Sequence, residues 1–413
     1  MNIVHISAFE NSGGSAKSAN RIHQAMLRKG YNSKMIVGNK ESESPYVDQI
    51  TTNRLEKVFQ SICNSLFSLI GLQYESLPFS YRLTTHPWIL DSDVVILYNT
   101  HGGYIDFPSL TKLFLLKPII WRFSDLWPIT GHCSYPGKCE RWLTGCGNCP
   151  DLGTYPGVGV DMTSRLWKQK IRLFRTFKPN IIAPSSWMSA QAHLSPMLTK
   201  STISYIPNGI SLTVFTANDR SISRSFLGID DSSVVVLFIA EKSYPNCRKG
   251  TPILQKALHL IKSKNISLLA VGHHSERWIK AVPIKVHSLG SLTDPLVLRH
   301  AYCASDFSCV PSVHENLPNT VIESLACGTP VLAFDSGGIR DGVIDMETGI
   351  LCKERTPESL ALSLDYLACN PRLRHRLSIT SRNLAVERFS DSMEADYILE
   401  SCRSALQNKS VPV

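Results

Sequence analysis

The sequence has no long uninterrupted hydrophobic run, and this absence excludes a typical membrane-spanning helix. Such a helix needs about 20 predominantly apolar residues, whereas the best candidate, residues 113–120, is interrupted by Lys117 and Pro118. The first residues also lack the basic and apolar regions of a cleavable signal peptide, because residues 1–7 have the pattern of a buried strand. We therefore expect a cytoplasmic protein that is either soluble or peripheral at the inner face of the plasma membrane.

Signatures of nucleic-acid binding are missing as well, since no RNP, KH or zinc-finger pattern is present. The 43 Lys and Arg residues outnumber the 34 Asp and Glu residues, which gives a formal charge of +9. This excess favours anionic partners such as phosphates or acidic lipid headgroups, although a basic surface that only aids solubility is an alternative. No nucleic-acid partner is expected.

The chain lacks internal repeats and low-complexity tracts, and its 413 residues with 43% hydrophobic content suffice for two cores. Short apolar runs alternate with stretches of helical period, which predicts an α/β protein with two doubly wound, Rossmann-like domains. A turn signature at residues 206–209 separates residues 1–208 from residues 209–389. A last helix at about residues 390–413 is expected to pack back on the first domain.

An open parallel sheet binds its ligand outside the carboxyl ends of its strands. Two such sheets facing each other predict an active site in the cleft between them. The loops that follow strands are therefore the informative parts of this sequence.

The most specific motif runs from Ser312 to Gly328, with Glu315 before a predicted helix and Glu323 within it. Eight helical residues rise about 12 Å, which is comparable with the separation of the sugar and the ribose in a nucleotide sugar. Between the two carboxylates, the N–H groups of residues 316–319, which include Asn316 and Leu317, form an anion site suited to a diphosphate. The alternative is a surface helix with two solvated glutamates.

The segment from residue 312 to residue 338 resembles the signature of glycosyltransferase family 4, whose members are retaining enzymes of the GT-B fold. Further segments match in the same order and extend the resemblance over nearly the whole chain: residues 13–16, 184–187, 206–209, 248–250 and 336–338. The resemblance implies that the N-terminal domain lies on the acceptor side and that the C-terminal domain binds a UDP- or GDP-linked sugar.

The resemblance also implies roles for individual residues. Glu315 is expected to contact the donor hexose near its reacting carbon, and Glu323 is expected to bind the ribose. Lys249 matches a phosphate-binding lysine. The arginine that usually precedes it has no clean counterpart, because Glu241, Lys242 and Ser243 occupy that region, so Arg248 is proposed as the substitute. Gly13 and Gly14 are assigned to donor binding, and no catalytic metal is expected.

His101 ends a predicted strand in a glycine-rich loop and matches the family position at which a histidine faces the donor sugar, so a catalytic role is implied. A structural histidine is the alternative. Asp125 follows a second strand, at residues 118–123, where related sequences carry a His-Asp pair. Ser124 replaces that histidine, and this departure leaves an acid/base role for Asp125 without support.

Four cysteines form a cluster with zinc-ligand spacing: Cys133, Cys139, Cys146 and Cys149. A C-x2-C pair preceded by two cysteines within 17 residues has the ligand number of a closed structural zinc site. The alternative is four reduced thiols packed in a loop, with His132 as a spare ligand.

Two segments suggest contact with the cytoplasmic membrane surface. Residues 165–178 carry six basic and no acidic residues interleaved with apolar ones, and residues 55–70 are apolar at helical spacing. In each case the apolar stripe packs either on the membrane or on the N-terminal sheet.

These features and the resemblance to family 4 together predict a hexosyltransferase that acts on a glycan or lipid-linked acceptor in bacterial O-antigen, capsule or exopolysaccharide biosynthesis. The resemblance implies that the enzyme is retaining. A GT-B phosphorylase, a nucleotide-sugar epimerase and a non-catalytic glycan-binding subunit are the alternatives.

Overall fold

The computed structural model describes residues 1–229, 232–242 and 246–409. The chain divides into two compact units, of which unit 1 comprises residues 1–207 and 394–413 and unit 2 comprises residues 208–393. In the described part of the chain, no helix is both long enough and apolar enough to cross a membrane.

Unit 1 is built on a parallel sheet of seven strands within the described residues, in the order β3-β2-β1-β4-β5-β6-β7. Its strands are β1 (Asn2–Phe9), β2 (Asn32–Asn39), β3 (Val47–Gln49), β4 (Val94–Leu97), β5 (Ile119–Arg122), β6 (Asn180–Ala183) and β7 (Ile203–Tyr205). Its helices are α1 (Gly14–Arg28), α2 (Arg54–Leu69), α3 (Arg82–Thr85), α4 (Pro87–Asp91), α5 (Phe107–Leu116), α6 (Thr163–Phe177) and α7 (Ser186–Leu194).

Unit 2 repeats this architecture with a parallel sheet of six described strands in the order β10-β9-β8-β11-β12-β13. Its strands are β8 (Val234–Lys242), β9 (Ile266–His273), β10 (Lys285–Ser288), β11 (Phe307–Val310), β12 (Val331–Phe334) and β13 (Gly349–Cys352). Its helices are α8 (Arg220–Leu227), α9 (Thr251–Leu260), α10 (Trp278–Ala281), α11 (Pro295–Ala304), α12 (Asn319–Ala326), α13 (Pro357–Cys369) and α14 (Pro371–Arg388). A last helix, α15 (Asp391–Lys409), returns the chain to unit 1.

Each sheet is apolar on both faces because helices cover both sides. Along β8, Val235 and Leu237 pack in one core while Val236 and Phe238 pack in another. Successive residues of a strand point to opposite faces, so a strand buried on both faces is apolar at every position. The predicted α/β class with two doubly wound sheets is confirmed.

Helix α15 completes the core of unit 1. Ala395, Ile398, Leu399 and Cys402 pack in the same core cluster as strands β1, β2 and β4. A buried ion pair of 2.9 Å between Arg122 of β5 and Glu394 ties the helix to the sheet. Both side chains are almost fully buried, so removing either one would deprive the other buried charge of this partner.

Candidate functional site

The candidate site in unit 2 lies where the sheet changes direction. Strands β8 and β11 are neighbours, and the chain reaches them from opposite sides, which makes a crevice at their carboxyl ends. The loops that follow them are joined by a 2.9 Å hydrogen bond from the backbone N–H of Val313 to the carbonyl of Arg248. The fold thus brings residues 248–250 against residues 311–315.

Gly250 makes this close approach possible. Its φ is +76°, and a Cβ at this position would lie 1.9 Å from the carbonyl oxygen of Pro311. Only a residue without a side chain fits both the backbone conformation and the space. The glycine of the predicted phosphate-binding segment is therefore explained by the packing of the two loops.

Glu315 binds both predicted phosphate-binding cations. Its Oε1 atom lies 2.5 Å from Nζ of Lys249 and 2.8 Å from Nη1 of Arg248. Burial raises the pKa of the Glu315 carboxyl, but Lys249 and Arg248 outweigh burial and hold this pKa below its ordinary value. The three predicted side chains therefore form one charged cluster with a buried, ionised carboxylate. The side chain of Lys242 and all of Ser243, which occupy the region of the missing arginine, lie outside the described residues.

Glu323 lies in α12 and is also buried. Its Oε2 atom accepts a 2.8 Å hydrogen bond from the hydroxyl of Tyr302 on α11. Tyr302 is fully buried, so it holds this carboxylate against the helix face. Sequence reasoning did not identify Tyr302, because nothing local to it indicates a partner on another helix.

The loop between Glu315 and α12 has the geometry of an anion site. The helix begins at Asn319 after Pro318, and its positive end points toward this loop. The Leu317 side chain packs in the core, and its carbonyl accepts a 2.9 Å hydrogen bond from the Asn208 amide. Leu317 is thus anchored by its side chain, and any role it has toward a ligand falls to its backbone. Asn316 is buried beside it.

A third loop, after β12, is tied to the same place. The Ser336 hydroxyl donates a 2.7 Å hydrogen bond to the carbonyl of Val313. Arg355 donates to that carbonyl at 3.0 Å and to the carbonyl of Asp335 at 2.7 Å. Arg355 was not predicted, and it joins two strand-end loops that are distant in sequence.

Unit 1 also collects its predicted residues at the carboxyl edge of its sheet. Gly13, with φ +83°, is the N-cap of α1, and Gly14 is the first residue of that helix. The Ser15 hydroxyl forms a 2.6 Å hydrogen bond with the Ser124 hydroxyl in the loop after β5. Ser124, which stands where related sequences carry a histidine, therefore links the beginning of α1 to the loop of Asp125.

His101 and Asp125 form a buried pair in unit 1. His101 Nε2 lies 3.3 Å from Asp125 Oδ2, and both side chains are almost fully buried. Burial lowers the pKa of His101, and the Asp125 carboxylate offsets only part of this effect. A neutral imidazole whose Nε2 carries the proton satisfies this contact.

The remaining contacts of this pair orient it further. Asp125 Oδ1 accepts a 2.9 Å hydrogen bond from the N–H of Trp127, and the rings of Trp127 and Tyr155 contact the imidazole. Within the described residues, His101 Nδ1 is buried without a hydrogen-bond partner. This atom is the free acceptor of the pair. The structure thus gives Asp125 a partner that the sequence did not reveal.

The four cysteines of the predicted zinc site occupy an irregular loop and are all partly buried. His132 Nε2 lies 3.4 Å from Cys149 Sγ, and the Gly131 N–H donates to Cys146 Sγ at 3.2 Å. In the part of the chain that the structure describes, no group of three or more His, Cys, Asp or Glu side chains is close enough to hold a metal ion. The described conformation does not form the four-ligand site, and zinc binding stays a prediction from spacing.

The apolar stripe of α6 packs on its own unit. Leu166, Trp167, Ile171 and Phe174 are buried in the core beneath the sheet. For this segment the alternative of packing on the N-terminal sheet is correct. Lys170 is buried with the apolar stripe, whereas Arg165, Lys168, Arg172 and Arg175 of α6 are exposed.

Part of unit 2 matches a known family model. Residues 233–370 match the family model described as Glycosyl transferases group 1. The D-inositol 3-phosphate glycosyltransferase of Rhodococcus erythropolis is 32% identical over 221 residues, which cover 50% of this chain and 49% of that protein. The chain therefore matches about half the length of this relative.

A second relative aligns over more of the chain. WcaC of Escherichia coli K12, named for glycosyl transfer in colanic acid biosynthesis, is 26% identical over 83% of this chain and 85% of its own length. Among solved structures, Anabaena HepE in complex with UDP and glucose superposes with a TM-score of 0.70 at 15% identity, covering 98% of this chain and all of that one. At this identity the likeness establishes the fold alone. The chain therefore has the GT-B fold, and its residues 233–370 match the Glycosyl transferases group 1 model.

Proposed function

We propose that the chain is a glycosyltransferase that moves a hexose from a UDP- or GDP-linked donor to a glycan or lipid-linked acceptor, with retention at the anomeric carbon. The observation that carries this proposal is the cluster of Glu315, Lys249 and Arg248 at the crevice of unit 2. The family match of residues 233–370 and the names of the relatives support sugar transfer.

Lys249, Arg248 and the beginning of α12 are proposed to hold the donor diphosphate. The leaving nucleoside diphosphate gains negative charge in the transition state, and preorganised cations aimed at it stabilise that charge. In the described structure both cations are paired with Glu315. A bound diphosphate would therefore share or replace this partner.

Glu315 and Glu323 are proposed to bind the two ends of the donor. Glu315 stays ionised because two cations lower its pKa, so it can accept hydrogen bonds from hexose hydroxyls and stabilise positive charge near the reacting carbon. Glu323 is proposed to bind the ribose. It has the rigid support of Tyr302 that such a contact needs.

His101 is proposed to contact the donor hexose, with Asp125 as its positioning residue. The Asp125 carboxylate fixes the imidazole tautomer and ring orientation, which leaves Nδ1 as an acceptor for a hydroxyl proton. Gly13 and Gly14 are proposed to let the donor approach the backbone before α1.

The acceptor is proposed to belong to a bacterial surface polysaccharide, as in an O-antigen, capsule or exopolysaccharide. The support is the name of WcaC, which refers to the exopolysaccharide colanic acid. Retention rests on the resemblance to family 4, and a front-face displacement within an ion pair is the proposed route.

The test is to incubate the purified chain with UDP- and GDP-hexoses, alone and with oligosaccharide or polyprenyl-linked acceptors. We expect a glycosylated product only when an acceptor is present. NMR at early times should show that the new linkage keeps the anomeric configuration of the donor, and Glu315→Ala should form no product. An inverted linkage would overturn retention. Epimerisation of the donor without an acceptor would identify a nucleotide-sugar epimerase instead of a transferase. Phosphate-dependent cleavage of a glycan would identify a phosphorylase. Unchanged cellular function of Glu315→Ala would favour a binding subunit.

A further inference from the structure

Helix α2 is inverted with respect to the usual arrangement of a surface helix, because most of its large apolar side chains are exposed while the polar side chain of Gln60 is its buried one. Gln60 is buried on the inner side, where its Nε2 donates a 2.9 Å hydrogen bond to the carbonyl of Gly103. Asn64 lies on the same side, against Gly103. Phe67, also on the inner side, is only partly buried.

The outer side of α2 and the residue after it form a continuous apolar stripe. The exposed side chains are Leu55, Val58, Phe59, Ile62, Leu66, Leu69 and Ile70. Each is at least half exposed, and Leu55 reaches 80%. Single exposed apolar residues are ordinary, but a contiguous stripe along a whole helix marks a surface that contacts something apolar.

A basic surface adjoins the C-terminal end of this stripe. The N–H of Gly159 donates to the carbonyl of Ser68 at 2.9 Å, which places the segment before α6 against the end of α2. Helix α6 has no acidic residue, and its exposed side chains include Arg165, Lys168, Arg172 and Arg175. Arg165 forms an ion pair of 3.2 Å with Glu75.

The acidic residue of α2 does not oppose this charge. Glu56 forms a bidentate ion pair with Arg82, at 2.7 and 2.9 Å, so its charge is paired within unit 1. An apolar stripe with a basic flank is the composition of helices that lie in the interface of an anionic bilayer. A protein partner would require no such excess of one charge.

We propose that α2 is a membrane-docking helix: its outer stripe inserts into the surface of an anionic bilayer, and the basic face of α6 contacts the lipid headgroups. The 16 residues of α2 span about 24 Å, so the helix lies along the surface instead of crossing it. The inference stands on unit 1 and does not require the proposed sugar transfer.

The inner face of the docking helix connects this surface to the candidate site. Gln60 holds the carbonyl of Gly103, two residues after His101, and it accepts from the N–H of Phe79 at 3.3 Å. The docking helix and the His101 loop therefore share a direct contact. A glycan carried on a membrane lipid would reach this loop from the surface that α2 occupies.

The experiment is flotation of the purified full chain with vesicles of phosphatidylcholine alone and of phosphatidylcholine with phosphatidylglycerol. We expect binding only to the anionic vesicles, with loss at high salt. The variant Val58→Gln, Ile62→Gln, Leu66→Gln removes the stripe, and Lys168→Glu, Arg172→Glu, Arg175→Glu reverses the basic face. Each is expected to weaken binding at least tenfold, while Leu362→Gln, Tyr366→Gln, at exposed apolar positions of α13, keeps it.

Circular dichroism and UDP binding show whether each variant remains folded, and they separate this test from the test of sugar transfer. Failure of the unaltered chain to bind anionic vesicles would overturn the proposal, as would full binding by the stripe variant. A concentration-dependent dimer that the stripe substitutions abolish, without any vesicle binding, would replace the membrane by a second copy of the chain.

Discussion

Lys249 and Glu315 form a 2.5 Å ion pair that joins the loops after β8 and β11. Because this pair neutralises the cation proposed to bind the diphosphate, Glu315 competes with the ligand. We expect Glu315→Gln to keep or tighten UDP binding, by up to about tenfold or 1.4 kcal/mol, while transfer falls at least about 100-fold. Calorimetry with UDP and an initial-rate assay give the two quantities. Glu358→Gln, on the exposed face of α13, is the matched control, and clearly weaker UDP binding in Glu315→Gln would contradict the competition.

Gly250→Ala is expected to damage the crevice of unit 2. The new Cβ would lie 1.9 Å from the carbonyl oxygen of Pro311, at a φ of +76°. Gly228→Ala provides the comparison, because its φ is +65° and, among the described residues other than its chain neighbours, no atom would lie within 4 Å of the added Cβ. We expect Gly228→Ala to cost about 1 kcal/mol from backbone strain alone and Gly250→Ala to cost more and to abolish UDP binding. Equal thermal shifts with intact UDP binding would show that the loops do not meet as described.

Asp125→Asn should impair transfer without changing the affinity for UDP. The carboxylate offsets part of the effect of burial on the His101 pKa, so its removal should lower that pKa further. We expect a rate loss of about 10- to 100-fold, as is typical of carboxylates that orient a functional histidine. NMR of carbon-13-labelled histidine measures the pKa. Asp91→Asn, an exposed position in the same unit, should leave both quantities unchanged.

Unit 1 should lose stability as the pH falls below 6.5. Burial lowers the pKa of His23 to about 4, from an ordinary value of 6.5. The unfolded chain therefore takes up a proton on this side chain before the folded chain does. The contribution of neutral His23 to the free energy of unfolding is complete above pH 6.5. It is lost between pH 6.5 and about 4, at up to about 1.4 kcal/mol per pH unit.

Burial also lowers the pKa of His5, which adds to this pH dependence. Tryptophan fluorescence follows unit 1, since six of the seven tryptophans lie there and only Trp278 lies in unit 2. In urea unfolding, His23→Gln should show a shallower pH dependence than the unaltered chain. An identical slope would mean that His23 does not contribute.

The cysteine loop should hold about one zinc ion per chain if the spacing of its thiols is a metal site. Four thiolates complete the coordination of zinc, so its removal should unfold the loop and leave UDP binding intact. Elemental analysis of protein purified without a chelating tag under reducing conditions measures the content. Cys146→Ser, Cys149→Ser should lose the metal, whereas Cys369→Ser, at an exposed position, should keep it. Less than about half an equivalent in the unaltered chain would argue against the site.

The sequence was most informative where local patterns decide the outcome. The predicted strand at residues 118–123 corresponds to β5, Ile119–Arg122, and the predicted helix that contains Glu323 corresponds to α12, Asn319–Ala326. Apolar runs and turn residues determine such elements within a few positions of their own sequence. The order of the strands then places Lys249 and Glu315 together.

Pairings across the sheet were beyond these patterns. His101 and Asp125 meet because β4 and β5 are neighbours, and the sequence indicated two strand ends without their order. The periodicity of residues 55–70 revealed an apolar stripe. Periodicity alone does not indicate whether such a stripe faces the protein or the surroundings. Gln60, a single polar residue with a backbone partner in another loop, decides that orientation.

The contribution of α15 to unit 1 bears on the order in which the protein can fold. A ribosome releases the strands of unit 1 first and the helix that covers one face of them only after all of unit 2. Until then the apolar face on which Ile398 and Leu399 pack remains exposed to water, and Arg122 lacks its ion-pair partner Glu394. Chaperones that bind exposed apolar surface would bind unit 1 during that interval. Truncating the chain before residue 394 would therefore lower the solubility of the newly made protein more than it would alter the candidate site.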